Sequence, residues 1–325
     1  MSRVGAVAIG RNEGERLRRC LETLRTQVDR VVYVDSGSTD GSVALARSLG
    51  VPILELSPDR PFTAARGRNE GFAALLREGE LDHVQFVDGD CGVDPGWIGA
   101  ASRVLDSDPS IGIVTGWRTE IHPDRNLFHA MSETEWHRPP GDIASCGGDM
   151  MVRVAAFRAA GGFDPRIICS EDEEFCLRLA DRTGLRVLRV PRVMTHHDID
   201  MTRLGQWWRR QVRAGHGYAE IGGMYPQHFR RERMRAWSYG LALPVLALPG
   251  ALAGQWWVPA LVALAYAASW LRTVQGLRRN GLGQAEALGQ AGLMTLSKFP
   301  SLQGMLTYHL RRLRRAEFLI IEYKR

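Results

Sequence analysis

Residues 84–91 read VQFVDGDC, and this stretch decides the fold. An apolar run of Val84, Phe86 and Val87 ends in Asp88-Gly89-Asp90. Such a run, closed by a turn, reads as a buried strand of a parallel sheet. It delivers two carboxylates to its C-terminal tip, where open α/β sheets bind their ligands. Two acids one residue apart at that tip can share a hard divalent cation, and the cation can hold a diphosphate. The same residues also suit a plain turn, because Asp-Gly pairs are common there.

Working outward, the chain alternates strands with helices. Residues 4–9, VGAVAI, form a first apolar strand, broken by Gly10 to Gly14. A helix follows, with Leu17, Cys20, Leu21 and Leu24 at helical spacing. Residues 31–34, VVYV, make a second strand that ends in the polar loop 35–41, and 42–49 make a helix. Further strands are expected at 51–56, 111–115, 150–152 and 186–190, with helices in 62–76, 95–105 and 173–180. Strands alternating with helices imply a parallel, doubly wound sheet.

The 325 residues hold 42 Lys+Arg against 36 Asp+Glu, a net charge of +6, and are 45% hydrophobic and 24% charged. That balance excludes a disordered chain. It suits nucleic acid, an anionic membrane or phosphorylated substrates. The arginines of the last third flank apolar stretches, which favours the membrane over nucleic acid. Five cysteines, an odd number with no CxxC spacing, argue against a disulfide framework or a zinc site and read as reduced thiols. The opening MSRVGAVAIGRNEGE lacks an export pattern, so the first domain is expected to be cytoplasmic.

Five segments in order carry a resemblance: VAIGRNEGERLRRCLETL, VVYVDSGSTDGS, AARGRNEGF, FVDGDC, and CGGDMMVRVAAFRAAGGFDPR with SEDEEFCLRLADRTGLRV. Over about residues 3–200 the chain resembles family 2 glycosyltransferases with the GT-A fold. GRNEGE, EWHRPPG and QWWRRQVRAGHGYAE are similar to a bacterial subgroup linked to cell-surface polysaccharide. The resemblance implies a GT-A type doubly wound mixed sheet, Rossmann-like, with a C-terminal membrane-associated helical region. The expected division is residues 1–230, with a nucleotide-sugar half at 1–115 and an acceptor half at 116–230, followed by 231–325.

Site residues carry over by position. Asp35 matches the acid that reads the donor's nucleobase or ribose; from its surroundings it equally suits a turn or helix cap. Asn12 would line the same pocket and Glu13 is the matching early acid. Arg66 and Arg68 match a segment under the donor, where a guanidinium pairs with phosphate, although a solvated helix start also accounts for them. Asp88 and Asp90 match the family's DxD: Asp90 would contact Mg2+ or Mn2+ most directly, and Asp88 would touch ribose and metal. In several members a late His adds a further ligand, here His197 of the His196-His197 pair; a structural pair is the alternative. Glu171-Asp172 match the pair whose Asp is the catalytic base, so Asp172 is assigned that role, with Glu171, Glu173 and Glu174 as competitors. Ser170 and Glu173 have capping-box spacing. Gly148 and Asp149 match an acceptor-site turn, and Trp136 either stacks on a sugar or serves the core. Residues 206–211, QWWRRQ, depart from the QxxRW of processive members, which argues against processive synthesis.

After Arg235 the composition changes. Residues 237–271 are nearly uncharged, interrupted by Pro244, Pro249 and Gly254, and flanked by arginines on both sides. They read as a hydrophobic hairpin, either crossing the membrane twice or dipping into one leaflet. The tail from Leu282, with Lys298, Arg311, Arg312, Arg314 and Arg315 as a basic face, reads as a membrane-surface helix pair. The expectation is an inverting, metal-dependent glycosyltransferase (EC 2.4) held at a bacterial inner membrane, with its catalytic domain cytoplasmic and an oligomer compatible with the sequence. It would move sugar from a nucleotide-sugar donor to a lipid-linked or growing glycan acceptor. A nucleotidyltransferase of similar fold and a non-catalytic membrane scaffold are the alternatives.

Overall fold

A computed structural model describes residues 2–314. The chain forms two compact units. One holds the residues up to Pro123 together with Ser132–Ile199; the other holds Asp124–Met131 and the chain from Asp200 onward.

The first unit is a mixed sheet of nine strands: β1 Val4–Gly10, β2 Arg30–Asp35, β3 Ile53–Glu55, β4 His83–Asp88, β5 Cys91–Val93, β6 Ile111–Glu120, β7 Gly141–Ile143, β8 Met150–Arg153 and β9 Arg186–His197. The order is β3-β2-β1-β4-β8-β6-β9-β5, with β7 paired to β9. β1, β2, β3 and β4 run parallel, whereas β8 enters antiparallel between β4 and β6. Both faces of the sheet are covered, so its central strands are apolar throughout. Successive side chains alternate faces: Val7 and Ile9 of β1 join one core with Phe72, Phe86 and Phe163, while Ala6 and Ala8 join the other with Leu17, Leu21 and Trp97. Each large side chain so buried contributes about 1.5–3 kcal/mol.

Register places the site. Gly10 pairs with Asp35 and Ile9 with Asp88, so β1, β2 and β4 end level and present residues 10–13, 35 and 88 along one rim. β9 runs far past the expected 186–190 and carries His196 and His197 at its end. There it pairs with the short β5, Cys91 opposite His197. Neither β5 nor β7 was expected, and no helix was expected at Leu127–Trp136. Ser170 does precede the helix Glu171–Thr183, but in a left-handed conformation and without a side-chain cap bond, so the expected capping box is not formed. All five cysteines are buried and outside any disulfide.

The second unit is helical. Leu204–Met224 packs against Lys298–Leu313. A Cβ on Gly215 would strike the Ser301 carbonyl, and one on Gly304 the Val212 carbonyl, so the two backbones touch at these glycines. Leu302, Met305 and Tyr308 are buried with Ala219 and Ala236. One face of Lys298–Leu313 is therefore packed into this unit, while Leu306, Leu310 and Leu313 are exposed; Arg315 lies outside the described residues. The compact division falls near residue 200.

Arg230–Trp237, a π-helical turn Ser238–Ala242 and Leu243–Leu252 follow one another without a break. After Gly254 comes Trp257–Arg279, 23 residues with mean hydropathy 1.2, among the described residues the one helix long and apolar enough to cross a membrane. Leu246, Leu248, Leu252, Trp256, Trp257 and Leu264 are exposed on this hairpin.

Candidate active site

At the rim of the first unit the structure brings acids and arginines into one network centred on Arg68. Its guanidinium is buried. Nη1 donates to Glu171 at 2.6 Å and Nη2 to Asp88 at 2.8 Å. Thus one side chain on the helix Ala64–Leu76 ties the tip of β4 to the start of the helix Glu171–Thr183. A Cβ on Gly148 would collide with this guanidinium, so only glycine leaves it room. Burial works against the charge, but Asp88, Glu171 and Asp172 more than offset it and hold Arg68 protonated.

Arg118 of β6, which sequence reasoning missed, forms the second bridge. Its Nε donates to Asp149 at 3.0 Å, and its Nη2 lies 3.3 Å from Asp88 and 2.7 Å from Asp149. The guanidinium sits 5.5 Å from the ring centre of Trp136, a cation–π distance. Trp136 also meets the His197 ring edge-on at 4.9 Å. The position of Trp136 at the site is thus set by Arg118 and His197.

Asp90 and His197 form a buried pair, Oδ2 to Nε2 at 3.1 Å. The other ring nitrogen, Nδ1, faces Glu120 at 3.9 Å. Burial alone would lower the imidazole's pKa, but Asp90 and Glu120 reverse this and hold it above its ordinary value. Asp90, Cys91 and His197 bring one donor atom each within 4.8 Å of one another. The donor chemistry fits a divalent ion: carboxylate oxygen and imidazole nitrogen suit Mg2+ or Mn2+. Glu120 is placed to orient the imidazole from behind, as outer carboxylates do in metal sites. Burial pushes the Cys91 thiol up, which keeps it neutral and a poor ligand for a hard ion.

Asp172 stands beside this network. Glu171 is held by Arg68 and Glu174 by Arg178 at 2.8 Å; the Asp172 carboxyl accepts from the Glu173 backbone N–H at 2.9 Å and faces the Gly147 turn, where a Cβ would approach it at 3.9 Å. Burial, then Glu171 and Glu173, push its pKa up to about 8, partly opposed by Arg68. An acid poised near neutral pH is suited to general-base work.

The other expected site residues have the following partners. Arg66 is buried: Nε donates to Glu70 at 2.7 Å and Nη1 to the carbonyls of Ser57 and Arg60. It staples the loop 57–61. Asp149 is buried. It accepts from the Asp88 backbone N–H, Arg118 and Thr195, so its carboxylate ties β4, β6 and β9 together. Both Asp88 oxygens serve arginines, which sets this acid apart from the Asp90–His197 pair. Asp35 is buried and accepts from Tyr33, Ser38 and the Gly37 and Ser38 backbone N–H groups. Its oxygens hold the loop that follows β2. Asn12, left-handed at φ 58, accepts from the Thr39 N–H and joins the same loop to β1. Glu13 is buried and pairs with Arg16 at 3.1 Å.

Residues 7–159 match the family model for glycosyl transferase family 2. Together with the fold, that match makes this stretch a family 2 glycosyltransferase domain. Among curated proteins the chain is 25% identical over 232 residues to the pre-mycofactocin glycosyltransferase of Mycobacterium tuberculosis, covering 66% of this chain and 47% of that protein. It is 28% identical over 192 residues to the succinoglycan biosynthesis protein ExoA of Rhizobium meliloti, covering 54% and 57%. The chain thus spans about half the length of the curated relatives it matches. Among solved structures it resembles a mannosyltransferase from Pyrobaculum calidifontis, in complex with GDP-Man and Mn2+, with a TM-score of 0.56, 18% identity and coverage of 96% of this chain and 87% of that one. This last likeness supports the GT-A-like fold.

Proposed function

We propose that the protein is an inverting, divalent-metal-dependent glycosyltransferase that moves a sugar from a nucleotide-diphosphate sugar to a hydroxyl of a lipid-linked or growing cell-surface glycan. The observation that carries this is the separation of roles around Arg68. On one side Asp90 and His197 form a cation-seeking pair; on the other Asp172 is an acid held near neutrality. Asp90 and His197 would hold Mg2+ or Mn2+, which when bound would supply positive charge against a departing diphosphate. Asp172 takes the proton of the attacking hydroxyl, and a single displacement from the face opposite the leaving group inverts the anomeric centre. Arg68 and Glu171 set the charge around Asp172, and Trp136 offers a ring for a sugar to stack against.

The relatives' names support sugar transfer in glycan assembly, and the mannosyltransferase of similar fold binds the same two ligand classes proposed here. The exposed apolar hairpin, with arginines at both ends, supports attachment to the bacterial inner membrane with the catalytic domain on the cytoplasmic side. Such attachment would confine enzyme and lipid-linked acceptor to one plane.

The test is a donor screen on detergent-purified protein. It follows metal-dependent release of nucleotide diphosphate from UDP-, GDP- and dTDP-sugars, with Asp90→Ala and Asp172→Asn in parallel. Release from one donor, lost in both variants, is the expected result. No release from any donor, with or without lipid extract, would overturn the catalytic reading in favour of a scaffold.

A further inference from the structure

We propose that the helical unit carries a binding site for the phosphate headgroup of an anionic membrane phospholipid. A cavity of about 550 Å³ opens between the helices Arg230–Trp237 and Lys298–Leu313, and among its walls are Arg230, Arg233, Trp237, Tyr308, His309 and Arg312. Among the described residues no carboxylate lines it. Three guanidiniums without an acid between them form an anion site by composition, since each presents a fork of N–H donors matched to phosphate oxygens. Arg233 is anchored: Nη2 donates to the Pro226 carbonyl at 2.6 Å, while Nε is buried with no hydrogen-bond partner. Arg230 and Arg312 are exposed at the sides. Met305 and Tyr308 are buried and add apolar wall.

The surroundings choose the ligand. From the same wall the chain passes to Met234, Trp237 and Leu241, exposed by 57%, 37% and 38%, and then to the apolar hairpin. A soluble phosphate has no use for an apolar border. A phospholipid does: its head fills the basic cavity while its chains follow the exposed hairpin, with Trp237 at the level where indoles favour the membrane–water boundary. The proposal rests on the membrane attachment proposed above and adds a selective site to it.

The test is flotation of the full-length protein with vesicles of phosphatidylcholine alone and of phosphatidylcholine with phosphatidylglycerol, at fixed ionic strength. Beside it run Arg230→Ala/Arg312→Ala and a control on the second arm of the hairpin, outside the cavity wall, Arg272→Ala/Arg278→Ala. The wild type should prefer the anionic vesicles. The Arg230/Arg312 variant should lose about 30-fold of that preference, two charge-assisted phosphate contacts at roughly fivefold each, while floating with the neutral vesicles as before. The control should lose much less. Equal binding of wild type to both vesicles overturns the headgroup site and leaves the attachment standing. Equal losses in the two variants overturn it in favour of diffuse charge. Loss of the preference on adding millimolar inorganic phosphate, with ionic strength held constant, overturns it in favour of a soluble phosphate ligand. Failure to float with either vesicle overturns attachment and site together.

Discussion

Replacing Asp172 by Asn removes an acid that the fold keeps protonated where water would ionise it. The carboxyl titrates at about 8 in the folded chain against 3.8 in an unperturbed one, through burial first and the neighbouring Glu171 and Glu173 next. Between those two values the folded protein holds a proton that the unfolded chain has released. Unfolding then releases a proton, so stability falls as pH rises across that window and is level below and above it. At about 1.4 kcal/mol per unit, four units would set a ceiling near 6 kcal/mol; relaxation and water entry lower the expected effect to about 2–3 kcal/mol. Asn keeps the shape without the charge. Asp172→Asn should therefore match the wild type near pH 4 and grow more stable than it up to pH 8. Above that the margin should hold steady, worth about 4–10 °C in melting temperature. Thermal melts of both proteins at intervals from pH 5 to 9 measure it. A margin that stays flat with pH, or that shrinks as pH rises, refutes the electrostatic account of this site. The same variant should lose about 10²–10⁴-fold in turnover; a stabilised variant with normal turnover would remove Asp172 as the base.

The wild-type kcat/KM should climb with pH and level off above about 8, the value at which Asp172 gives up its proton, and a profile already flat from pH 6 would contradict this. Asp90→Ala and His197→Ala should each abolish the rise in melting temperature that Mn2+ produces in the wild type, a readout independent of turnover. Gly148→Ala should displace the Arg68 guanidinium and cost about 2–4 kcal/mol of transition-state stabilisation, of the order of breaking one buried charged contact; measured turnover within threefold of wild type would refute that crowding. Arg66→Ala should lower stability by about 1.5–3 kcal/mol, since a buried guanidinium and its charge-assisted hydrogen bonds are lost, yet leave the KM for donor unchanged because Arg66 faces the loop 57–61.

Much of this protein was legible before any coordinate. The runs 4–9, 31–34 and 84–87 are apolar because a strand covered on both faces has no side for water, and that property is local. The polar tips that follow them announce the rim of the sheet, and the arrival of Asp35 and Asp88 there follows from the strands being parallel and level. The Glu171–Thr183 helix and the hydrophobic hairpin were legible for the same reason: composition over a few turns decides them.

What could not be read is what each charged side chain does once it arrives. Arg66 and Arg68 lie two residues apart on one helix. One staples a surface loop and the other joins Asp88 to Glu171, a difference set by partners up to 103 residues away. Asp88 and Asp90 look equivalent in sequence, yet only Asp90 meets His197, because β5 turns back along the end of β9. Arg118 and Glu120 gave no signal, since a strand residue becomes part of a site only through its cross-sheet neighbours. Local patterning, which depends on burial and spacing, is therefore settled by the sequence itself. Pairing of charges is settled by tertiary structure, because Coulomb and hydrogen-bond energies depend on distances of a few ångströms between residues that the chain keeps far apart.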